Sequence, residues 1–321
     1  MTVALLFPGQ GSQRVGMGAD VEAHSPAARA VFELAERATD LPLRRLCFEG
    51  PDEALRSTDV AQPALVATSL ATLAALAERL GLGPEDRRGV VDRLDVAVVA
   101  GHSLGQFAAA AAVGAFTMEE ALRLARARGL LMAAAPAGAM AAVLGLDGAR
   151  IRTVCAEVAG TVVIANDNAP GQVVISGDRE AVAAAGAALK AAGAARVLAL
   201  NVSGAFHSPL MAEPAARFAA MLGAAAIADP VRPVVGNVAA RPLRTAAALR
   251  DDFREQIPSP VRWRETMLAL ADLGVTSAYE VGPGNVLAGL AKRTTPTIGV
   301  RPLGTWTDVV AAADAPATPA G

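Results

Sequence analysis

Asp95-Val-Ala-Val-Val-Ala100 runs into Gly101-His102-Ser103-Leu104-Gly105, and then into Gln106-Phe-Ala-Ala-Ala-Ala-Ala112. The first block is a short apolar run without polar alternation, which predicts a strand covered on both faces. The alanine-rich third block predicts a helix. The block between them has the Gly-x-Ser-x-Gly pattern of a nucleophile elbow, a turn sharp enough to leave the serine oxygen exposed. Strand, tight turn and helix in this order predict an α/β sheet with a functional turn at the strand's carboxyl end. The following helix turns its positive end towards Ser103, and the Leu104 N–H is free to meet a developing oxyanion. The plainer alternative is a glycine-rich turn carrying a helix-capping serine. The position after a buried strand favours the nucleophile.

Outward from this turn, Thr2–Phe7 predicts a second buried strand ended by Pro8-Gly9, and Val60–Leu80 a helix stopped by Gly81. The pattern changes near Ala139. Strands are predicted over 139–146, 162–166, 172–177 and 196–200, with helices over 147–158 and 178–192. This βαββαβ order is the ferredoxin-like arrangement. Longer units return with a helix over 265–273, a strand over 277–281 and a helix over 285–292 behind Gly282-Pro283-Gly284. The expected fold is an α/β-hydrolase-like large subdomain with a parallel sheet, residues 1–133 and 203–304, into which a ferredoxin-like small subdomain, residues 134–202, is inserted. Residues 305–321, mostly Ala, Pro, Thr and Asp, are expected to be a disordered tail.

Composition excludes several classes. With 53% hydrophobic and 19% charged residues the chain is globular, and 29 basic against 31 acidic residues leave no basic stripe for nucleic acid. Cys47 and Cys155 have no metal spacing and read as reduced core thiols of a cytoplasmic protein; His24, His102 and His207 are too scattered for a zinc site. No signal peptide is expected, because the apolar start is short and lacks a basic flank. The uncharged run 129–146 contains Pro136, Gly138 and many alanines, so it reads as a helix end, a turn and a strand and not as a membrane span.

A serine nucleophile needs a base. His102 adjoins Ser103 and should point away from its oxygen, while His24 sits at a surface helix boundary before Ser25-Pro26. His207 remains, just after a predicted strand, in Gly204-Ala-Phe-His-Ser-Pro-Leu-Met211. No carboxylate is identified by spacing to orient its ring, which leaves a backbone or amide carbonyl for that task.

Seven ordered motifs carry a resemblance: Phe-Pro-Gly-Gln-Gly-Ser-Gln (7–13), Gly-His-Ser-Leu-Gly (101–105), Arg-Ala-Arg-Gly (126–129), Gly-Ala-Met-Ala-Ala-Val (138–143), Asn-Ala-Pro-Gly-Gln-Val-Val-Ile-Ser-Gly (168–177), Gly-Ala-Phe-His-Ser-Pro-Leu-Met (204–211) and Glu-Val-Gly-Pro-Gly (280–284). Over residues 3–303 the chain resembles malonyl-CoA:acyl carrier protein transacylases and the acyltransferase domains of polyketide synthases. The resemblance implies a ping-pong acyltransferase. Ser103 and His207 would be catalytic, and the Gln256 backbone carbonyl would orient the histidine. The N–H groups of Gln10 and Leu104 would form the oxyanion hole, and Arg128 would grip the malonyl carboxylate. Asn166 and Asn168 are matched to pocket positions and read equally well as turn residues before Pro170-Gly171. His102 and Gln106 flank the nucleophile on the substrate side. Phe206 resembles the malonyl-selective version, the methylmalonyl-selective one having a serine there, and leans towards polyketide synthesis. Gln106 departs from the family, which usually has glutamate at that place.

The implied substrates are malonyl-CoA and the phosphopantetheine thiol of an acidic acyl carrier protein. No bound cofactor, metal, nucleic acid or membrane is expected, and the chain is expected to be a monomer. Alternatives are transfer of another acyl group, thioester hydrolysis on the same scaffold, or a non-catalytic carrier-docking module.

Overall fold

The computed structural model describes residues 2–83, 86–202 and 204–315. Residues 95–112 form the strand Val96–Gly101 and the helix Gly105–Ala112. The strand lies in a six-stranded sheet ordered Gly299–Leu303, Val275–Val281, Thr2–Phe7, Val96–Gly101, Val234–Val235, Pro242–Leu243. The pairs are parallel except the last, which is antiparallel.

Alternate residues of the central strands enter two different cores, which is why these strands read as continuous apolar runs. Leu5, Phe7 and Val99 pack on one face with Leu65, Leu70 and Phe107. Ala4, Leu6, Val98 and Ala100 pack on the other face with Trp263, Met267 and Leu287.

The helix Thr58–Arg79 is apolar and long enough to cross a membrane, yet its apolar window is wholly buried inside this fold. Gly129 lets the helix Met118–Ala133 approach it closely: a Cβ there would press on the Thr58 carbonyl. Pro63 inside the long helix lacks an N–H for the carbonyl of Asp59. Arg126 Nη1 donates to that oxygen at 2.7 Å and to the Asp59 carboxylate at 2.8 Å, so the gap is filled from the neighbouring helix.

After Ala133 the chain builds a second, four-stranded antiparallel sheet ordered Val162–Ala169, Gln172–Gly177, Ala139–Leu144, Arg196–Ala199. The helices Gly148–Ala156 and Arg179–Ala191 complete the ferredoxin-like βαββαβ order, around a core containing Val143, Ile151, Ile175 and Leu189. The outgoing and returning chain pair at a bridge, Ala137 with Gly204. A second seam joins the two sheets' neighbourhoods: Asp167 N–H donates to the Val261 carbonyl (3.0 Å) and Val261 N–H to that of Ala165 (2.8 Å).

The tail expectation needs correction. Residues Trp306–Asp314 are a helix, opened by a capping box of Thr305 and Asp308, with Val309 and Ala312 buried. Trp306 stacks on His24 at 5.3 Å, and its N–H donates to Asp20 Oδ2 at 2.8 Å. The Ala- and Asp-rich composition hid an apolar stripe at helical spacing and a capping threonine. Residues 316–321 of the expected tail lie outside the described residues.

Candidate active site

At the carboxyl end of Val96–Gly101 the backbone reverses through Ser103, whose φ of 49° is in the left-handed region that side chains adopt only under constraint. The flanking glycines are required by space. A Cβ on Gly101 would overlap the Gly105 carbonyl group and Gln106 N, and one on Gly105 would overlap the Phe7 carbonyl oxygen. The turn is held from both sides: Ser103 N–H donates to Asn237 Oδ1 at 2.6 Å, and Ser103 C=O accepts from Gln256 Nε2 at 3.1 Å.

His207 also has a positive φ, 57°, and only 4% of it is exposed. Its Nε2 lies 2.8 Å from Ser103 Oγ, across 104 residues of chain. Its Nδ1 lies 3.1 Å from the Gln256 carbonyl and 3.0 Å from that of Ser259. Two carbonyl acceptors require the hydrogen on Nδ1, which leaves the Nε2 lone pair facing the serine hydroxyl. Burial, and then the Arg128 charge, push the His207 pKa down to about 3 against the opposing pull of the carbonyls. The ring is therefore a neutral base at pH 7.

Arg128 is 1% exposed. Its Nη2 donates to Ser103 Oγ at 3.0 Å and its Nη1 to Gln62 Oε1 at 2.8 Å, while its buried Nε has no partner. Among the described residues no carboxylate forms an ion pair with it. Burial pushes its pKa down to about 9. A buried cation with neutral partners alone is costly. Its position beside the reactive oxygen suits an anionic group brought in by a ligand.

The loop carrying Gln10 lies against the elbow, since a Cβ on Gly9 would collide with the His102 carbonyl. Neither Gln10 N–H nor Leu104 N–H has a protein acceptor among the described residues. The Gln10 side chain is occupied, donating to Thr58 Oγ1 at 3.2 Å. His102 points away from Ser103: its Nε2 meets Asn168 Oδ1 at 2.8 Å, and its ring contacts Trp263 at 5.3 Å. Asn166 and Asn168 belong to the strand Val162–Ala169, not to a turn, and Asn166 forms the bridge to Val261. Phe206 is buried beside His207, its ring over Gly204.

Gln106, expected on the substrate side, is fully buried, with both ends of its amide used by protein groups: Nε2 donates to Asp252 Oδ2 (2.9 Å) and Oε1 accepts from Gln256 Nε2 (2.7 Å). The helix Gly105–Ala112 turns this side chain under the elbow, so it has nothing left to offer a substrate. Sequence reading missed Gln62, Asn237, Asp252 and Ser259. The first three are buried polar groups within otherwise apolar or unremarkable runs, and Ser259 acts through its backbone, which no side chain announces.

The arrangement is a serine hydroxyl facing a neutral imidazole, two backbone donors without a protein acceptor among the described residues, and a buried guanidinium. It is suited to acyl transfer through an acyl-serine, with an acid group on the acyl chain. A family model described as acyl transferase domain matches residues 4–307. The chain is 41% identical over 297 residues to the malonyl CoA-acyl carrier protein transacylase of Bacillus subtilis (strain 168), covering 91% of this chain and 90% of that protein. Its structure is similar, at 37% identity and a TM-score of 0.90, to a malonyl-transacylase solved in complex with its type II polyketide synthase acyl-carrier protein, with 98% of this chain and 99% of that one covered. The malonyl-CoA:acyl carrier protein transacylase of Xanthomonas oryzae pv. oryzae gives a TM-score of 0.90 at 40% identity, with 99% of this chain and 100% of that one covered.

Proposed function

The chain belongs to the acyl transferase domain family, and on that premise we propose that it transfers a malonyl group from malonyl-CoA to the phosphopantetheine thiol of an acyl carrier protein. The observation that carries this reading is Arg128, a buried cation without a carboxylate partner among the described residues, bonded to the same Ser103 oxygen that faces His207.

His207 Nε2 takes the Ser103 proton as Oγ attacks the malonyl thioester carbon. The oxyanion accepts hydrogen bonds from the N–H groups of Leu104 and Gln10. The carbon–sulfur bond breaks, and the proton on His207 passes to the departing coenzyme A sulfur. The carrier's thiol then gives its proton to His207 and attacks the Ser103 ester, and Ser103 recovers the proton as it leaves. Throughout, the Arg128 guanidinium holds the malonyl carboxylate, and the carbonyls of Gln256 and Ser259 hold the imidazole. No resident cofactor enters this cycle. An acidic carrier, a monomeric chain and a cytoplasmic setting complete the reading; the two buried free thiols, Cys47 and Cys155, are in keeping with the last. The same carboxylate clamp argues against a hydrolase of simple acyl groups, which has no use for it.

The test is intact-mass measurement after incubation with malonyl-CoA, followed by addition of a phosphopantetheinylated carrier. One malonyl group should appear on Ser103 and then move to the carrier. An unmodified chain would leave a carrier-docking module as the reading.

The depressed His207 pKa fixes the sign of the pH dependence. The base form is needed, and with a pKa of about 3 in the folded enzyme it persists well below the range in which a solvated histidine protonates. Single-turnover acylation should therefore stay level between about pH 8 and pH 5. A fall with a midpoint near the ordinary histidine value would overturn the assignment of a buried neutral base.

This reading assigns the buried Phe206, next to His207 in the chain, to the wall that excludes a branched acyl chain. Phe206→Ser should shift the kcat/KM ratio of methylmalonyl- to malonyl-CoA by about 10–100-fold towards the branched substrate, the scale set by one carbon in an apolar pocket. An unchanged ratio in competition assays would remove Phe206 from the specificity wall.

A further inference from the structure

Behind the elbow lies a connected set of buried polar side chains that the cycle above does not use. Asp252, 5% exposed on the helix Ala246–Gln256, receives four donors. Its Oδ2 accepts from Gln106 Nε2 (2.9 Å) and Asn237 N–H (3.0 Å), and its Oδ1 from Ala239 N–H (3.0 Å) and Val238 N–H (3.3 Å). This is the acceptor-only pattern of a carboxylate. Gly236 makes room for it, since a Cβ there would overlap Oδ1.

Two arms run from Asp252 to the reacting groups. Through Asn237, whose Nδ2 also donates to the Gly101 carbonyl (2.7 Å), it reaches the Ser103 N–H. Through Gln106 it reaches Gln256, whose side chain donates to the Ser103 carbonyl and whose own carbonyl receives His207 Nδ1. Serine and histidine, far apart in sequence, thus hang from one carboxylate.

We propose that Asp252 and Gln106 are positioning residues for the Ser103–His207 pair, and that the amide at 106 is matched to the carboxylate at 252. The proposal rests on the acyltransferase reading above and deepens it. The chemistry at 106 is strict. One neighbour is an acceptor, Asp252 Oδ2, and the other is a donor, Gln256 Nε2, so the side chain between them must donate at one end and accept at the other. An amide does both. A carboxylate at 106, as the resembling family usually carries, would face Asp252 at hydrogen-bond distance, where two negative charges do not coexist and one must take up a proton. A shared proton would restore the missing donor. The charged or titratable groups joined to this pair are His207, through Gln256, and Arg262, which donates to the Val238 carbonyl.

The experiment compares the unaltered chain with Gln106→Glu and with Gln106→Met, which is neutral and of similar volume. It measures single-turnover acylation by malonyl-CoA, its half-saturating concentration and the far-UV circular dichroism at two pH values. At about pH 8, Gln106→Glu should acylate about 100-fold more slowly, the loss expected from an ångström-scale misplacement, with half-saturation unchanged because Arg128 is untouched. At about pH 5.5 most of that loss should be recovered, as the carboxylate pair regains its shared proton. Gln106→Met should be slow at both pH values with the same half-saturation, and it decides the matter if Gln106→Glu does not fold. Acylation of either variant at the unaltered rate, or a loss in Gln106→Glu that is equal at both pH values, overturns the proposal. Failure of the unaltered chain to acylate would count against the acyltransferase reading and not against the network.

Discussion

Alanine at Ser103, at His207 or at both is expected to leave the same residual malonyl transfer, on the order of 10⁴-fold or more below the unaltered chain. The equality matters as much as the size. The two side chains meet at 2.8 Å and act in one step, so once the hydroxyl is gone the imidazole has no proton to take, and once the imidazole is gone the hydroxyl stays a poor nucleophile. Losses that multiplied in the double variant would mean that the two groups work independently, and the acyl-serine cycle would fail. The measurement is transfer of labelled malonyl to a carrier, with intact mass to show that the Ser103→Ala chain carries no adduct.

The second large effect is expected at Arg128. Replacing it by alanine should lower malonyl loading by about 10²–10³-fold, because the malonyl carboxylate would then be buried without a partner. Loading of an uncharged acyl group such as acetyl should be unchanged or improved. The direction follows from the surroundings of the guanidinium: it is nearly inaccessible, its bonds among the described residues go to the neutral side chains of Gln62 and Ser103, and its Nε has no protein partner there. Binding a carboxylate relieves that cost, whereas binding a methyl group does not. Equal loss for malonyl and acetyl would show that Arg128 serves the geometry of Ser103 and not the acid group of the substrate.

The elbow was legible because its requirements are local. A buried strand, two glycines where any Cβ would strike backbone, and a helix with free N–H groups occupy fewer than twenty consecutive residues and leave the turn little choice. The base was legible for a different reason, scarcity, because the chain has three histidines and two were set aside on local grounds. The resemblance supplied Arg128 and the Gln256 carbonyl, and the structure brings both to the Ser103–His207 pair. Gln106 was misjudged from the same motif, because neighbours in sequence suggest a shared surface while a helical turn sends this side chain inward. The C-terminal helix was missed because its Ala- and Asp-rich composition hid a capping box and an apolar stripe, and its anchor, Trp306 on His24 and Asp20, comes from the other end of the chain.

By itself the sequence determined an α/β fold with a parallel sheet, the ferredoxin-like insert and a sharply turned serine at a strand's end, since these follow from periodicity, glycine placement and burial within short windows. Only the tertiary structure decided what surrounds that serine: Gln62 on the guanidinium, Ser259 on the imidazole, and Asn237 and Asp252 beneath the turn. Hydrogen-bond partners so far apart along the chain are selected by the packing that brings their helices together, and no short window of sequence holds both donor and acceptor.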